Sequence, residues 1–340
     1  MVKSIIKGVG HYVPENVVTN DDLAKVMTTN DEWITERTGI KERRHRKNRE
    51  DSEETTAYYA KLASEKALKM AGLTAKDIDF IVFATLSPDY FFPGSGVLLQ
   101  EMLGCDTIGA LDVRNQCSGF VYSMSVANAF IKAGTYKNVL VVGAEIHSFG
   151  LDFTDAGRGV SVIFGDGAGA VILSASEEEN AGDILSFNMH SEGKYAGELA
   201  VKFPGSKFGY TDLLLKENSS ITREDIFPYM NGNYVFKHAV TRFPETMIEA
   251  LKDAGKTVED LDMFIPHQAN LRISQYVQQK FGLPDEKVFN NIMKYGNTTA
   301  ASIPIALSEA IEQGKIKRGD LVLLSAFGSG FTWGSVLFNF

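Results

Sequence analysis

Residues 67–79 read Ala-Leu-Lys-Met-Ala-Gly-Leu-Thr-Ala-Lys-Asp-Ile-Asp, and residues 250–262 read Ala-Leu-Lys-Asp-Ala-Gly-Lys-Thr-Val-Glu-Asp-Leu-Asp. Eight of these thirteen positions are identical, at a constant offset that takes residue 67 to residue 250. In both copies a helix pattern ends at Ala-Gly, and a short turn leads into an apolar run typical of a buried strand, 80–84 and 263–265. A repeat of this kind indicates two copies of one strand-and-helix unit.

The similarity continues beyond this unit, more weakly and in the same order. The helix that follows Cys117 has a counterpart in Thr298–Gln313, and the apolar strand Asn138–Ala144 has one in Asp320–Ala326. A single unit can recur by chance, but the ordered recurrence of four elements favours duplication. Alternating strands and helices indicate an α/β protein with parallel sheets and helices on their faces.

The composition limits the classes of protein to consider. The chain has 340 residues, a formal net charge of −9 and 44% hydrophobic residues, which permits a sizeable core and argues against non-specific binding to nucleic acid. Two cysteines provide neither a disulfide framework nor a four-cysteine zinc site. No apolar run approaches the roughly 20 residues of a membrane span, and the first residues lack the apolar core of a signal peptide. We therefore expect a soluble, cytoplasmic protein with no nucleic-acid or membrane partner.

The stretch Leu111–Tyr122 contains the first candidate for catalysis. It reads as the end of a strand, a sharp turn and the start of a long apolar helix, with Cys117 in the first helical turn. A thiol at that position feels the positive end of the helix dipole, which favours the thiolate. A free cysteine is more often a small buried apolar residue, so this stretch alone leaves both interpretations open.

The repeat relates this cysteine to two other residues. At the same offset, Cys117 corresponds to Ala300, three residues past Asn297, and His267 corresponds to Ala84 at the end of a strand. Two similar halves related by a pseudo-two-fold axis bring equivalent strand ends together, so we expect the three side chains to converge. Taken singly, a histidine at a strand end is often structural, and an asparagine before a helix is normally its cap.

A cysteine, a histidine and an asparagine suit the chemistry of acyl thioesters. The thiolate attacks the thioester and holds the acyl group, and the other two side chains donate hydrogen bonds to a developing enolate oxygen. Backbone N–H groups at the start of a helix stabilise the oxyanion of the tetrahedral intermediate. The glycine-rich tail 326–335 is a candidate source of one such N–H group.

The basic run Lys41–Lys47 has two interpretations. It is either a solvated loop or part of an anion site, because Arg37, Arg43 and Arg44 are able to meet phosphates while Trp33 offers a face for stacking. The residues alone leave both interpretations open.

Six stretches carry a resemblance to a known family. They are Asp31–Ile40, Leu111–Tyr122, Phe164–Ala170, Pro266–Asn270, Tyr295–Ser302 and Gly330–Gly334. Together they resemble β-ketoacyl-acyl-carrier-protein synthase III over nearly the whole chain. The resemblance implies the thiolase-like fold, an α/β five-layer αβαβα sandwich built from two internally duplicated halves, usually as a homodimer. It implies a half with the nucleophilic cysteine, residues 1–176, and a half with the histidine and asparagine, residues 177–340.

The same resemblance implies a decarboxylative Claisen condensation. Cys117 takes an acyl group from acyl-CoA, while His267 and Asn297 promote decarboxylation of malonyl-acyl-carrier protein. The resulting carbanion attacks the acyl-enzyme and gives 3-oxoacyl-acyl-carrier protein, CoA and CO₂, which initiates fatty acid biosynthesis. The implied partners are acyl-CoA and malonyl-acyl-carrier protein, with no permanently bound cofactor and no metal.

Further residues match the motifs of the family. At the CoA-binding end the matches are Trp33, which would stack on the adenine, Arg37, Thr38, Arg158, Asn233 and Asn270. For the acyl pocket they are Phe92, which would reach across the dimer, Phe164 and Phe327, and for docking of the acidic carrier protein they are Lys237 and Arg272. The N–H groups of Cys117 and Ser329 would form the oxyanion hole, although Ser329 stands where the family often has glycine. Residues 192–226, expected to border the acyl pocket, look longer than in compact members.

Other condensing enzymes fit the sequence less well. A degradative thiolase needs a second cysteine near its C-terminus, and the chain has none after Cys117. An elongating synthase has a histidine where this chain has Asn297. Two alternatives stay open, a related enzyme that makes a quinolone, resorcinol, polyketide or long-chain ketone, and an inactive paralogue that only binds acyl-CoA or carrier protein.

Overall fold

The computed structural model describes residues 2–48, 53–179, 181–209 and 221–340. Its strands are β1 Lys3–Tyr12, β2 Val17–Thr19, β3 Glu42–Arg44, β4 Phe80–Ala84, β5 Gly109–Val113, β6 Asn138–Glu145, β7 Gly167–Ser176, β8 Asp183–Ser191, β9 Leu199–Ala200, β10 Tyr229–Met230, β11 Met263–Pro266, β12 Leu321–Gly328 and β13 Thr332–Asn339. Its α-helices are α1 Asn20–Ala24, α2 Asp31–Thr38, α3 Thr56–Ala71, α4 Ser95–Leu103, α5 Gly119–Lys132, α6 Arg158–Ser161, α7 Arg223–Ile226, α8 Gly232–Asp253, α9 Leu271–Phe281, α10 Ile292–Tyr295 and α11 Ser302–Glu312. Within those residues, no helix combines the length and the apolar character that crossing a membrane requires.

Two mixed sheets form the framework. In the first, the strand order is β1–β7–β6–β4–β5, with β4 parallel to both of its neighbours and antiparallel pairs on the β1 side. In the second, β11–β12–β13–β8, only β11 and β12 are parallel. The prediction of parallel sheets was therefore wrong for the remaining pairs. Residues 329–331 alone join β12 to β13, and so short a connection permits only an antiparallel pair.

The sheets and helices stack in five layers. Helices α3 and α4 cover the outer face of the first sheet, α5 and α11 lie between the sheets, and α8 and α9 cover the outer face of the second. The buried side chains accordingly form one core between the sheets and one under each outer helix layer. Because both faces of each sheet are covered, the central strands read as continuous apolar runs.

The predicted duplication is visible element by element. Strands β4 and β11 begin at Phe80 and Met263, which the offset of the sequence repeat relates to each other, and the same spacing separates the starts of β6 and β12 and of the central helices α5 and α11. The division of the chain at residue 176 stays a prediction. Of the long region 192–226, residues 210–220 lie outside the described residues, and the described part supplies β9, which pairs with β10.

Strand β1 and helix α3 approach each other closely. A Cβ added to Gly8 would lie 2.2 Å from the carbonyl oxygen of Ala67, and one added to Gly10 would lie 2.4 Å from that of Ala63. Both alanines are fully buried. Two glycines facing an alanine-rich helix therefore let the outer layer rest on the backbone of the sheet.

Gly10→Ala is expected to lower the free energy of unfolding by about 1–3 kcal/mol, the range for overpacking a close contact, because the new methyl group would meet backbone atoms of α3. Denaturant unfolding followed by circular dichroism measures the change. Gly193→Ala is the matched control, since no atom of the described residues lies within 4 Å of its added Cβ, and its expected effect is below about 0.5 kcal/mol. Equal effects in the two variants would contradict the close packing.

Candidate active site

Cys117 lies in a tight turn between a strand and a buried helix. The 3₁₀ turn Gln116–Ser118 connects β5 to α5, and Gln116 has a φ of 45°, in the left-handed region that non-glycine residues rarely adopt. The cysteine is 6% exposed. A Cβ added to Gly328 would lie 2.9 Å from its sulfur, so a glycine is needed for β12 to come this close. The sequence predicted the first turn of the helix, and the structure places the cysteine just before it.

The second half repeats this turn without a nucleophile. The 3₁₀ turn Thr299–Ala301 leads into α11, Thr299 has a φ of 49°, and Ala300 stands where the first half has Cys117. The two turns contact each other. Asn297, which precedes the second turn, is therefore carried to the cysteine from the other half of the chain.

The thiol of Cys117 is neutral at neutral pH. Burial raises its pKa to about 12, the charge of Glu145 acts in the same direction, and the backbone N–H of Ser329 opposes them by lowering the pKa. The predicted effect of the helix dipole stays a prediction. The backbone N–H groups of Cys117 and Ser329 do lower the pKa of the thiol, but burial raises it by more.

His267 directly follows β11 and presents one free ring nitrogen. Its Nδ1 lies 2.6 Å from Oγ of Ser302. That oxygen also accepts the N–H of Gln268 at 3.3 Å, and in the tautomer in which the Ser302 hydroxyl donates to Nδ1 the ring proton is on Nε2. Nε2 is buried and has no hydrogen-bond partner among the described residues. Burial lowers the pKa of His267 to about 3, so the ring is a neutral donor at physiological pH.

Asn297 is held so that its amide nitrogen is available. Its Oδ1 accepts the backbone N–H of Thr299 at 2.8 Å. Its backbone is also fixed, because its N–H donates to Ile163 at 2.9 Å and its carbonyl accepts from Gly165 at 3.0 Å. With the oxygen engaged, the side chain of Asn297 offers its N–H₂ group as a donor.

A cavity of about 410 Å³ brings the three side chains together. Cys117, His267 and Asn297 all line it, as do most of the residues that the resemblance assigned to the substrate path, namely Trp33, Arg37, Thr38, Asn233, Asn270, Arg272, Phe164 and Phe327. Several of these are exposed, so the cavity opens to the surface beside them. Within the described residues, no group of three or more histidine, cysteine, aspartate or glutamate side chains is placed to hold a metal ion.

Two guanidinium groups flank the indole ring of Trp33 at the mouth of this cavity. The guanidinium carbon of Arg37 lies 4.6 Å from the ring centroid, and that of Arg158 lies 4.9 Å from it. Arg158 does not line the cavity itself. Thr38 is buried, and its hydroxyl donates to the carbonyl of Ile34 at 2.7 Å.

The two asparagines predicted near the CoA arm differ in their surroundings. Asn233 is exposed in the first turn of α8. Asn270 caps α9 by accepting the N–H of Arg272 at 2.9 Å, and its amide nitrogen donates to the carbonyl of Arg37 at 2.9 Å. Lys237 is exposed one turn after Asn233, outside the cavity, and Arg272 is exposed at its edge.

A second cavity, of about 280 Å³, also reaches Cys117 and Phe164. Its lining is mainly apolar and includes Leu86, Phe91, Leu199, Val201, Phe203, Pro204 and Pro228, with Gln116, His147, Thr299 and Ser329 among the polar residues. Residues 199–204 of the long region thus form part of its wall. Phe327 lines only the first cavity, and Phe92, at 81% exposure, lines neither.

The basic run is not an anion site at Arg43 and Arg44. The side chain of Arg43 is fully buried and donates to the carbonyls of Val18 at 3.1 Å and Val162 at 2.7 Å. Arg44 pairs with Glu42 at 2.7 Å. The functional interpretation was wrong for these two residues, because Arg43 ties strand β3 to carbonyl groups of neighbouring segments and Arg44 is paired within the same strand.

Sequence reasoning missed the residues that orient the reacting groups. Ser302 touches His267, while Glu145 and His147 contact the turn that follows Asn297. The repeat contained one signal for Glu145, because the offset aligns this residue with Gly328 in the glycine-rich tail 326–335. Nothing in the local sequence distinguishes Ser302 from an ordinary residue at a helix start.

Comparison with known proteins gives a consistent result. The family model for 3-oxoacyl-(acyl-carrier-protein) synthase III matches residues 111–193, and the model for its C-terminal part matches residues 251–340. A β-ketoacyl-(acyl-carrier-protein) synthase III from Aquifex aeolicus is 46% identical over 335 residues, 98% of this chain and 99% of the relative. Synthase III 1 from Bacillus cereus is 44% identical over 331 residues, 97% of each chain.

The fold comparison agrees. The crystal structure of 3-oxoacyl-(acyl-carrier-protein) synthase III from Aquifex aeolicus has a TM-score of 0.88 and 44% sequence identity, covering 99% of this chain and 100% of that one. The predicted thiolase-like fold is thereby confirmed. The 44% sequence identity over nearly the whole length of both chains is higher than two proteins that share only a fold need to have. The chain therefore belongs to the β-ketoacyl-acyl-carrier-protein synthase III family of acyltransferase condensing enzymes.

Proposed function

We propose that the chain transfers an acyl group from acyl-CoA to Cys117 and condenses it with malonyl-acyl-carrier protein, the initiating step of fatty acid biosynthesis. The observation that carries this proposal is the convergence in one cavity of a thiol, a neutral histidine with a free Nε2 and an asparagine with a free amide group. No single one of these groups is specific, but together they match a thioester condensation.

The first step is acyl transfer. The sulfur of Cys117 attacks the thioester carbonyl of acyl-CoA, the bond from that carbonyl to the CoA sulfur breaks, and the thiol proton ends on CoA. The backbone N–H groups of Cys117 and Ser329 are the proposed oxyanion hole. Support comes from Ser329, which lines the second cavity together with Cys117 and whose backbone N–H lowers the pKa of the thiol.

The second step is decarboxylation and condensation. Loss of CO₂ from malonyl-acyl-carrier protein leaves its electron pair in an enolate, whose oxygen accepts hydrogen bonds from Nε2 of His267 and the amide of Asn297. The enolate carbon then attacks the thioester on Cys117, the bond from the acyl carbon to the cysteine sulfur breaks, and the sulfur leaves with its electron pair and takes up one proton from solvent. Because breaking the carbon–carbon bond creates the nucleophile, no strong base is needed, which suits a histidine whose pKa is about 3.

The first cavity is the proposed path for the pantetheine arm. Trp33 would stack on the adenine of CoA, with Arg37, Thr38 and Arg158 close to the nucleotide, and Asn233 and Asn270 would line the arm. Lys237 and Arg272, both exposed near this mouth, are the proposed contacts of the acidic carrier protein. A positively charged rim would speed and orient its docking.

The second cavity is the proposed pocket for the acyl group on Cys117. Phe164 borders both cavities, and the apolar wall formed by residues 199–204 suits an aliphatic chain. We assign it a short or medium acyl group. Phe327 lines only the first cavity, so it would lie beside Cys117 on the side from which the CoA arm enters.

A homodimer is part of the proposal. Tyr90, Phe91 and Phe92 are 59%, 57% and 81% exposed and adjoin one another on one loop. A contiguous exposed patch of large apolar side chains marks an interaction surface, and Phe92 would extend from it into the acyl pocket of a second copy. The steps above use no permanently bound cofactor and no metal. A cytoplasmic location stays a prediction.

Incubation with a panel of acyl-CoAs is expected to add one acyl group to the protein, measured by intact mass spectrometry. Cys117→Ala is expected to show no adduct, because its thiol borders both cavities. Cys105→Ala, which removes the only other cysteine, is the matched control and is expected to acylate normally. The proposal fails if the wild-type protein shows no adduct or if Cys117→Ala keeps it, and the panel also ranks the primers.

His267→Ala and Asn297→Ala are expected to accept the acyl group but to decarboxylate malonyl-acyl-carrier protein at least about 100-fold more slowly, the cost of losing one oxyanion donor. Released CO₂ and acetyl-carrier protein measure the rate. Asn128→Ala, a buried asparagine that lines neither cavity, is the control and is expected to keep normal decarboxylation. Normal rates in either site variant would show that these roles are misassigned.

The wild-type chain, of 37.3 kDa, is expected to sediment as a dimer. Phe92→Ala is expected to change the ranking of long against short acyl-CoAs, because Phe92 would contact the acyl chain in the second copy. Ile248→Ala, an apolar residue that is 52% exposed on α8, is the control and is expected to leave the ranking unchanged. A monomer, or identical rankings in the two variants, would contradict the proposed role of Phe92.

A further inference from the structure

Glu145 is a buried carboxylate that the proposed steps do not use. It is the last residue of β6 and is 0% exposed. Its Oε2 accepts hydrogen bonds from the hydroxyl of Ser87 at 2.5 Å and that of Thr85 at 3.1 Å, and the backbone N–H groups of Leu86 and Ser87 donate to it at 3.2 Å. No ion pair of Glu145 occurs within the described residues. Burying a carboxylate with no opposite charge beside it costs free energy, and hydrogen bonds from neutral donors offset only part of that cost.

The backbone N–H of Ala300 also acts on this carboxylate and lowers its pKa, against the larger effect of burial, which raises the pKa to about 7. Since Ala300 is the counterpart of Cys117, its N–H is the counterpart of the proposed oxyanion donor. The counterpart of Glu145 is Gly328, which has no side chain and packs its backbone against Cys117, since an added Cβ would lie 2.9 Å from the sulfur. Beside the turn of the second half, the side chain of Glu145 therefore occupies a place where the first half has no side chain.

The turn that Glu145 contacts also orients Asn297. The N–H of Thr299 donates to Oδ1 of Asn297, and Thr299 itself is in the left-handed region. A non-glycine residue keeps such a conformation only when its surroundings fix it. The end of β6 and the residues after it lie against this turn, where His147 bonds the hydroxyl of Thr299 and the N–H of Ala300 acts on the carboxylate of Glu145.

We propose that Glu145 is a positioning residue for decarboxylation, which anchors the turn 299–301 by occupying its unused oxyanion-type donor and so holds the amide of Asn297 toward the substrate. This inference rests on the proposed function. It assigns Glu145 to the second step, because Asn297 acts there, and leaves acyl transfer to Cys117 and Ser329. The negative charge also lies close enough to Cys117 to oppose thiolate formation.

The test compares Glu145→Gln with Glu309→Gln. Gln keeps the shape of Glu145 but directs N–H₂ donors at the surrounding N–H and hydroxyl groups. Glu309 is the matched control, a 9% exposed carboxylate on α11 that bonds Asn291 and lines neither cavity. Acyl transfer is followed by intact mass, decarboxylation by CO₂ release, and thiol reactivity by the rate of alkylation with iodoacetamide at pH 8.

Glu145→Gln is expected to slow decarboxylation by about 10-fold or more, an effect of misplaced positioning, and to slow acyl transfer by less than about 3-fold. Alkylation of Cys117 is expected to become faster, because loss of a nearby negative charge favours the thiolate. Glu309→Gln is expected to change none of the three rates appreciably. Equal losses in both half-reactions, a loss matched by Glu309→Gln, or no loss in decarboxylation would each overturn the inference.

Glu145→Asp covers the case in which the glutamine variant does not fold. It keeps the charge with a shorter reach, so alkylation is expected to stay slow while decarboxylation falls more than acyl transfer. If its two half-reactions fall equally, the inference is overturned. The wild-type protein distinguishes failure of the proposed function from failure of the role of Glu145. A wild type that neither acylates nor decarboxylates overturns the proposed function. An active wild type with unaffected variants overturns the role of Glu145 alone.

Discussion

Two turns in contact at the centre of the molecule are the constraint on which the candidate site depends. Each contains a non-glycine residue in the left-handed region, Gln116 or Thr299, and each leads into a helix buried between the sheets. Backbone of this kind persists only where neighbours fix it, and the neighbours are the ends of β6 and β12 together with the opposite turn. The thiol comes from one half and its partners from the other, so the site exists only while the two halves are packed together.

Burial, more than charge, sets the state of the groups in this site. The thiol of Cys117 and the ring of His267 are both removed from water, which shifts both pKa values in favour of the neutral form. A neutral pair avoids the cost of burying two ions. Hydrogen-bond donors that are already in place need no reorganisation when charge develops on a substrate oxygen. The site is therefore built to receive negative charge from a substrate.

The sequence predicted the parts of the fold that repeat. The constant offset between the two copies located the second strand-and-helix unit and related Cys117 to Asn297 and His267, and the order of the elements carried this prediction. The predicted parallel direction is correct for β4 with both of its neighbours and for β11 with β12, and wrong for the other pairs of the two main sheets. Strand and helix patterns do not show that β13 returns beside β12 through the short connection 329–331.

Properties that depend on burial were beyond local sequence. A helix start was visible at Cys117, but the depth that raises its pKa was not. Arg43 read as part of a charged run because only the fold shows that its side chain turns inward to two carbonyl groups. Ser302 and Glu145 escaped notice for the same reason, since their partners come from distant parts of the chain.

The contrast between Glu145 and Gly328 also limits how this chain can diverge. The thiol at position 117 lies against the bare backbone of Gly328, so any side chain at 328 would displace it. In the second half, the strand that contacts the corresponding turn ends in Glu145. A single residue at the end of each strand therefore distinguishes the two halves of the duplication.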